Sequence, residues 1–328
     1  MAAPPPVEPA DRPVARRLGV TLGDARGIGP EVAERAISLL PAEGRPELLL
    51  IGPEGVQGID AGDSFQSVGR WSAGGSPAEA GRLAGLAIEE AVRMAMAGRI
   101  AGIVTAPIDK AALHAAGYNW PGHTEMLAAL SGAPHVSMLM SAERTIAGHP
   151  LRVVLATTHI RLADVTRMLN TESLVRQTEL LADALRTGWA IDEPRIAFCA
   201  VNPHASDGGL FGDEEETILR PAIDILRAGG HDVRGPFPAD TVFVRALRDE
   251  FDAVVAPYHD VGMAAFKTAS FGSGVNVTLG LPFVRTSPDH GTALDIAGRG
   301  IADASSMVEA IMLAARLAGT LRLHATRR

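Results

Sequence analysis

Residues 258–303 read YHDVGMAAFKTASFGSGVNVTLGLPFVRTSPDHGTALDIAGRGIAD, and the remainder of the chain is best understood outward from them. The stretch opens on a His-Asp pair, His259 and Asp260, directly after the apolar run 253–257. Lys267, Asn276 and Arg285 follow at equal intervals. It closes on DHGTALDIAGRG, a loop of small residues with polar groups at its turn. A metal ligand, an anion clamp and a nucleotide loop can therefore share one segment.

Upstream of this stretch, apolar strands alternate with amphipathic helices, the pattern of an α/β fold. Strands are expected at 18–22, 48–51, 102–105, 137–141, 151–156, 195–200, 253–256 and 275–279. Helices are expected at 31–40, 79–97, 109–116, 123–130, 174–187, 214–228, 240–248 and 305–317. Pro30 opens the first helix, where its missing N–H is harmless. Strands 137–141 and 151–156 are expected to pair through a turn at 148–150. The tail LRLHATRR reads as a frayed basic end, and no internal repeat is present.

A length of 328 residues suits two domains. With 47% hydrophobic and 21% charged residues, the chain has the makings of a soluble protein with a sizeable core. A net charge of −8 argues against a nucleic-acid partner but leaves room for a local basic pocket. The single cysteine, Cys199, lies in the strand-like run IAFCA and reads as core; a cytoplasmic location fits. The Pro-rich start lacks the apolar run of a signal peptide, so 1–14 is expected to be a disordered tail. No membrane span is expected, because Arg82, Glu89, Glu90 and Arg93 interrupt the most apolar helix.

Three histidines stand just past apolar strands: His159 after VVLATT, His204 after AFCAVNP and His259 after VVAPY. Ligands gather at the C-terminal ends of strands in α/β folds. The spacing is too wide for a zinc finger. One such histidine alone reads as a hydrogen-bonded structural residue; three at equivalent positions read as a ligand set. Asp240 and Asp260 read equally as helix-start acids or as supports for a metal. On the residues alone, Lys267 and Arg285 read as solvated charges. The GHTE run, 122–125, begins a helix whose N-terminus favours anions. GDARGIG has the wrong spacing for a GxGxxG fingerprint, so a Rossmann reading is excluded.

The runs TLGDARGIGPE, VTAPIDK, GHTE, ATTH, NPHASDGG, PADT, YHDVG and GVNVTLGLPFVRTSPDHGTALDIAGRG resemble the PdxA family. These are the 4-hydroxythreonine-4-phosphate dehydrogenases of vitamin B6 synthesis. The resemblance runs from Leu18 onward. It implies two interleaved α/β/α domains of the isocitrate/isopropylmalate dehydrogenase type, with the active site in the cleft between them. Residues 15–130 and 271–328 would form the first domain and 131–270 an inserted one. It further implies a homodimer and one divalent cation (Zn, Mg or Co) on His159, His204 and His259, the last donated by the partner subunit.

The same resemblance assigns His123, Thr124, Lys267, Asn276 and Arg285 to a phosphorylated hydroxy-acid substrate. His290, Gly291, Thr292 and Ala293 would hold adenine and ribose, with Asp303 near the adenine. Asp295 would accept from a ribose diol and repel a 2′-phosphate, favouring NAD over NADP. Asp240, Asp260 and Lys267 are the candidate catalytic bases. The GDARGIGPE turn would line the cofactor side, loosened by Ala25 where Pro is usual. The region 52–75 is shorter than is usual, so a strand–helix piece is expected to be missing. Val261 replaces a usual Gln, and PHASDGG replaces PHAGEGG. Relatives with such changes oxidise 4-phosphothreonate or 4-phosphoerythronate, and others a terephthalate cis-dihydrodiol. The competing class is a phosphotransacetylase-like acyl transferase, which needs no converging histidines. A catalytically dead binding protein would have lost a ligand, and none is lost.

Overall fold

The computed structural model describes residues 17–325 except 60, 61, 63 and 271. The segment 1–14 and the last three residues of the basic tail lie outside the described residues. The first elements are β1 (Arg17–Thr21), α1 (Gly29–Leu39), β2 (Glu47–Glu54), β3 (Phe65–Arg70), α2 (Pro77–Met96) and β4 (Gly102–Thr105). Then come α3 (Lys110–Ala115), α4 (His123–Ser131), β5 (Ser137–Ala142), β6 (Leu151–Leu155), α5 (Val165–Met168), α6 (Thr171–Trp189) and β7 (Arg195–Cys199). The chain continues through α7 (Arg220–Ala228), β8 (Asp232–Phe237), α8 (Ala239–Ala246), β9 (Ala253–Ala256) and α9 (His259–Ser270). It ends with β10 (Val275–Leu279), β11 (Val284–Pro288) and α10 (Ser305–Ala325).

All these strands join one sheet, in the order β3-β2-β1-β4-β11-β10-β5-β6-β9-β7-β8. Both flanks are parallel, and β10 and β5 run antiparallel to their neighbours at the centre. Strands from 15–130 and 271–328 fill one side of the β10–β5 junction, and strands from 131–270 fill the other.

Alternation along each strand sends side chains to two helical layers. Val104 and Val154 face a core shared with α1, α6, α7 and α10. Their neighbours Ile103 and Val153 face the opposite side, Ile103 against α2, α3 and α4 and Val153 against α8 and α9. Burial on both faces is why β4 and β9 are nearly all apolar, and why β6 is apolar apart from its ion-paired Arg152. Cys199 is 1% exposed, and burial pushes its thiol up to about 12, an inert core position. No helix among the described residues is long and apolar enough to cross a membrane.

Several expectations need correction. β3 lies within the region expected to have lost a strand–helix piece, so the strand is present. It and β8 sit at the two sheet edges, where half-exposed strands carry the polar, Gly- and Pro-containing sequences that hid them. The expected helix 214–228 divides into a wide turn, Glu215–Leu219, and α7. Glu215 is turned inward and accepts from the amides of Val201 (2.9 Å) and Asn202 (2.7 Å). The tail does not fray at 321, because α10 runs on to Ala325.

One largely buried carboxylate ties the sheet to α6 and α10. Glu143, just after β5, pairs with Arg152 of β6 (3.0 Å) and Arg316 of α10 (2.7 Å), and accepts from Trp189 of α6 (3.0 Å). Burial alone would raise its pKa. The charges of Arg152 and Arg316, with bonds from Arg316 and Trp189, overcome that and hold it at about 2. A carboxyl depressed on folding stabilises the fold above its unfolded pKa and loses that effect as pH falls. Chemical denaturation should therefore show Glu143's contribution intact above about pH 4.5 and fading towards about pH 2. Glu143→Gln should lower stability at pH 7 by about 3 kcal/mol, and the loss should shrink in acid.

Candidate active site

The C-terminal ends of β4, β6, β9 and β11 open onto one cavity of about 640 Å³, lined from both sides of the β10–β5 junction. Strand pairing builds its histidine edge. β6 and β9 are parallel neighbours, with Leu155 opposite Ala256. Beyond the ladder, Ala156 N donates to Ala256 O (2.9 Å) and Thr157 Oγ1 to Pro257 O (2.8 Å). The two chain segments thus leave the sheet together, and the rings of His159 and His259 stack at 5.4 Å with a 41° tilt. His159 has φ +36°, a left-handed backbone uncommon for a non-glycine. Its pKa is lowered by burial first, then by the charges of Lys110 and His259. His259 Nδ1 bonds the Asp260 carboxylate at 2.7 Å, which leaves Nε2 as the nitrogen open to a ligand.

Opposite the histidines lies a basic pocket. Arg285 of β11 is 2% exposed, yet its guanidinium meets no carboxylate ion-pair partner among the described residues. It donates instead to the hydroxyls of Thr105 (2.6 Å) and Thr278 (3.0 Å), and its Nε has no partner. Burial lowers its pKa to about 10. His123, at the start of α4, is pushed well below the usual imidazole range by burial, then by Arg285 and Lys110. Its Nε2 is buried and unpartnered, as is Asn276 Oδ1. Thr124 lines the same wall. A desolvated cation beside unsatisfied polar atoms is a site for an anion.

The loop DHGTALDIAGRG packs against the GDARG turn. Ile28 N donates to Thr292 O at 2.9 Å, and a Cβ on Gly27 would meet that same oxygen at 2.8 Å. Ala25 does not loosen the turn, because Arg26 grips Asp24 through both carboxylate oxygens and reaches Asp109 at 2.9 Å. His290 and Gly291 line the cavity, and His290 Nε2 is buried without a partner. Thr292, Ala293 and Asp295 lie outside the lining; Asp295 is exposed, and Ala293 turns the chain at φ +40°.

Five further assignments do not coincide with the cavity. Lys267 lies outside the lining and pairs with Asp289, a lining residue, meeting its carboxylate at 2.7 Å and its carbonyl at 3.2 Å. Asp303 caps α10, accepting from Ser305 N (2.9 Å) and Oγ (2.6 Å), and those bonds lower its pKa. Asp240 is exposed in the first turn of α8 and also lies outside the lining, and Asp260 is committed to His259. His204 is exposed on a turn of successive left-handed residues, His204 to Asp207, and does not line the cavity. Among the described residues no three metal-ligating side chains meet in one chain. Within one chain, then, His159 and His259 are neighbours, and His204 stands apart from both.

Comparison with known proteins decides the family. The model described as "Pyridoxal phosphate biosynthetic protein PdxA" matches residues 47–314. This chain belongs to the PdxA family. It is 44% identical to the 4-hydroxythreonine-4-phosphate dehydrogenase of Beijerinckia indica, over 92% of this chain and 94% of that protein. It is also 44% identical to the D-threonate 4-phosphate dehydrogenase of Cupriavidus necator, over 92% and 97%. The crystal structure of 4-hydroxythreonine-4-phosphate dehydrogenase from Klebsiella pneumoniae superposes with a TM-score of 0.81 at 38% identity, covering 93% of this chain and all of that one. As a PdxA-family protein, the chain is an oxidoreductase with the α/β architecture that isocitrate dehydrogenase also shares.

The sequence reading overlooked Thr105, Lys110, Glu125 and Asp289 in the cavity wall. Thr105 had a visible signal, since it ends an apolar strand. Removing the buried guanidinium offers a test of the anion pocket. Arg285→Met should leave the unliganded melting temperature equal or higher, because an unpaired buried cation is costly. It should abolish the stabilisation that inorganic phosphate gives the wild type, worth about 2.7 kcal/mol at a hundredfold excess over Kd.

Proposed function

We propose that this protein oxidises the 3-hydroxyl of 4-phosphohydroxy-L-threonine with NAD, using one divalent cation (Zn, Mg or Co) per site. The observation that carries this reading is the buried Arg285, with no carboxylate in ion-pair contact among the described residues, sharing one cavity with the His159–His259 pair. Arg285, Asn276, His123 and Thr124 would seat the phosphate. His159 and His259 would hold the cation, with Asp260 fixing the tautomer of His259. The two imidazoles fit a catalytic metal but are one ligand short of a three-residue set. His204 of a second copy supplies the third, making the homodimer a condition of activity.

Exposed apolar residues support that dimer. Ile160 and Leu162 follow His159, and Leu210 and Phe211 follow His204. Apolar surface gathered at both histidine loops marks an interface. A bound cation would polarise and acidify the alcohol, and a nicotinamide dinucleotide would accept its hydride. The backbone at 290–293, with Asp295 nearby, would hold the nucleotide. The product of oxidation is a β-keto acid, which loses CO2 to leave 3-amino-2-oxopropyl phosphate. The two sides of the sheet are proposed to act as two domains, 15–130 with 271–328 and 131–270, closing on substrate.

A second substrate has its own support: identity to the D-threonate 4-phosphate dehydrogenase equals that to the 4-hydroxythreonine-4-phosphate enzyme. NADH formation should be followed with both compounds, with 4-phosphoerythronate and with a dihydrodiol dicarboxylate, each with and without chelator. A phosphorylated substrate should react and the chelator should stop it; undiminished turnover after complete metal removal would sink the reading.

Mixed dimers test the ligand division. His159→Ala mixed with His204→Ala should recover about a quarter of wild-type activity after random subunit exchange. His159→Ala mixed with His259→Ala should recover none. The opposite pattern would return His259 to the partner subunit.

A further inference from the structure

VTAPIDK stands out in the sequence, and its closing lysine has no role in the site as assigned so far. We propose that Lys110 is a substrate-binding residue, the second cation of the cavity, and that it holds the carboxylate of a ligand whose phosphate sits at Arg285. This deepens the reading of the protein as a dehydrogenase for phosphorylated hydroxy acids and rests on it.

Lys110 lines the cavity from the first turn of α3. Its place is fixed by its neighbour. Asp109 caps α3 through the amides of Ala111 (2.8 Å) and Ala112 (3.3 Å), and accepts from Arg26 at 2.9 Å. Arg26 is in turn clamped by Asp24, which is 0% exposed. The lysine stem is thereby aimed over the Gly122–His123 turn: a Cβ on Gly122 would lie 3.6 Å from its Cε and 4.0 Å from its Nζ. The ammonium lies between the two ends of the site, for its charge acts on both His123 and His159.

No carboxylate pairs with Lys110 among the described residues. Asp109 is engaged by Arg26 and Asp289 by Lys267; Glu125 Oε2 comes near the same Gly122 position, 3.5 Å from that Cβ, but forms no ion pair with Lys110. Lys267, the lysine expected at the substrate, already has a counter-ion; Lys110 has none. The cavity therefore holds two cations without an ion-paired carboxylate among the described residues, one buried beside His123 and one between His123 and the histidine pair. A ligand with two separated anionic groups satisfies both, each charge meeting its own donor.

Binding to the full chain by calorimetry separates the two positions. 3-Phosphoglycerate carries phosphate and carboxylate; glycerol 3-phosphate carries phosphate alone. Wild type should prefer the former. Lys110→Met should weaken 3-phosphoglycerate binding about tenfold or more and leave glycerol 3-phosphate within about threefold. Lys110→Arg should keep the preference. In turnover, Lys110→Met should raise KM for the phosphorylated hydroxy acid about tenfold, with kcat within about threefold. Equal loss for both ligands, no loss for either, or no wild-type preference would overturn the assignment. A failure of the dehydrogenase reading would show separately, as absent NADH formation by the wild type.

Discussion

The parallel pairing of β6 with β9 is the constraint on which the site depends. Two strands that run the same way in register deliver whatever follows them to the same sheet edge. Here the ladder continues past the strands through Ala156–Ala256 and Thr157–Pro257, so His159 and His259 emerge side by side. β7 lies on the other side of β9 and delivers His204 to the same edge, but a left-handed turn carries that side chain out to solvent. Consecutive non-glycine residues in that region are strained. Glu215, buried and bonded to the amides where the loop leaves β7, holds the turn at its base. Strain retained in a loop that carries a candidate ligand fits a loop shaped for an external contact.

The opposite wall works by a different principle. Arg285 is buried without a contacting carboxylate among the described residues and His123 Nε2 is buried without a partner, an arrangement that lowers stability and raises affinity for an anion. The sheet can bear it because β11 is supported by Thr105 and Thr278 hydroxyls and by the clusters around it. The Glu143 network on the other half is the converse case. There, cations from β6 and α10 converge on one acid, and the charges serve packing alone. Paired buried charge marks the scaffold, and unpaired buried charge marks the site.

Much of this was legible in the sequence. Strands β4 and β9 were readable to the residue because burial on both faces forces apolar runs, and β10 because its β-branched and apolar residues alternate with Asn276 and Thr278. β11 was not, since its Arg285, Thr286 and Ser287 are buried polar residues and VRTSP lacks strand character. α9 was missed because His259 and Asp260 were read for chemistry, and their position as the first residues of a helix went unread. Lys267 looked like a substrate ligand, but its partner Asp289 is distant in sequence and only folding shows the pair. The capping role of Asp303 could also have been read: an Asp two residues before a serine that opens a helix is a capping pattern. Strand-end logic found two of the three histidines together, but no pattern in the chain states which side of an interface each serves.

The central claim is that two imidazoles of one chain and one of another hold a single cation. Anomalous X-ray diffraction at the zinc edge, from crystals grown with zinc, tests it directly. The account predicts one peak per protomer between the rings of His159 and His259, with the third imidazole coming from His204 of a second copy. A peak elsewhere, or a cation held by His159 and His259 with no His204 beside it, would contradict the account.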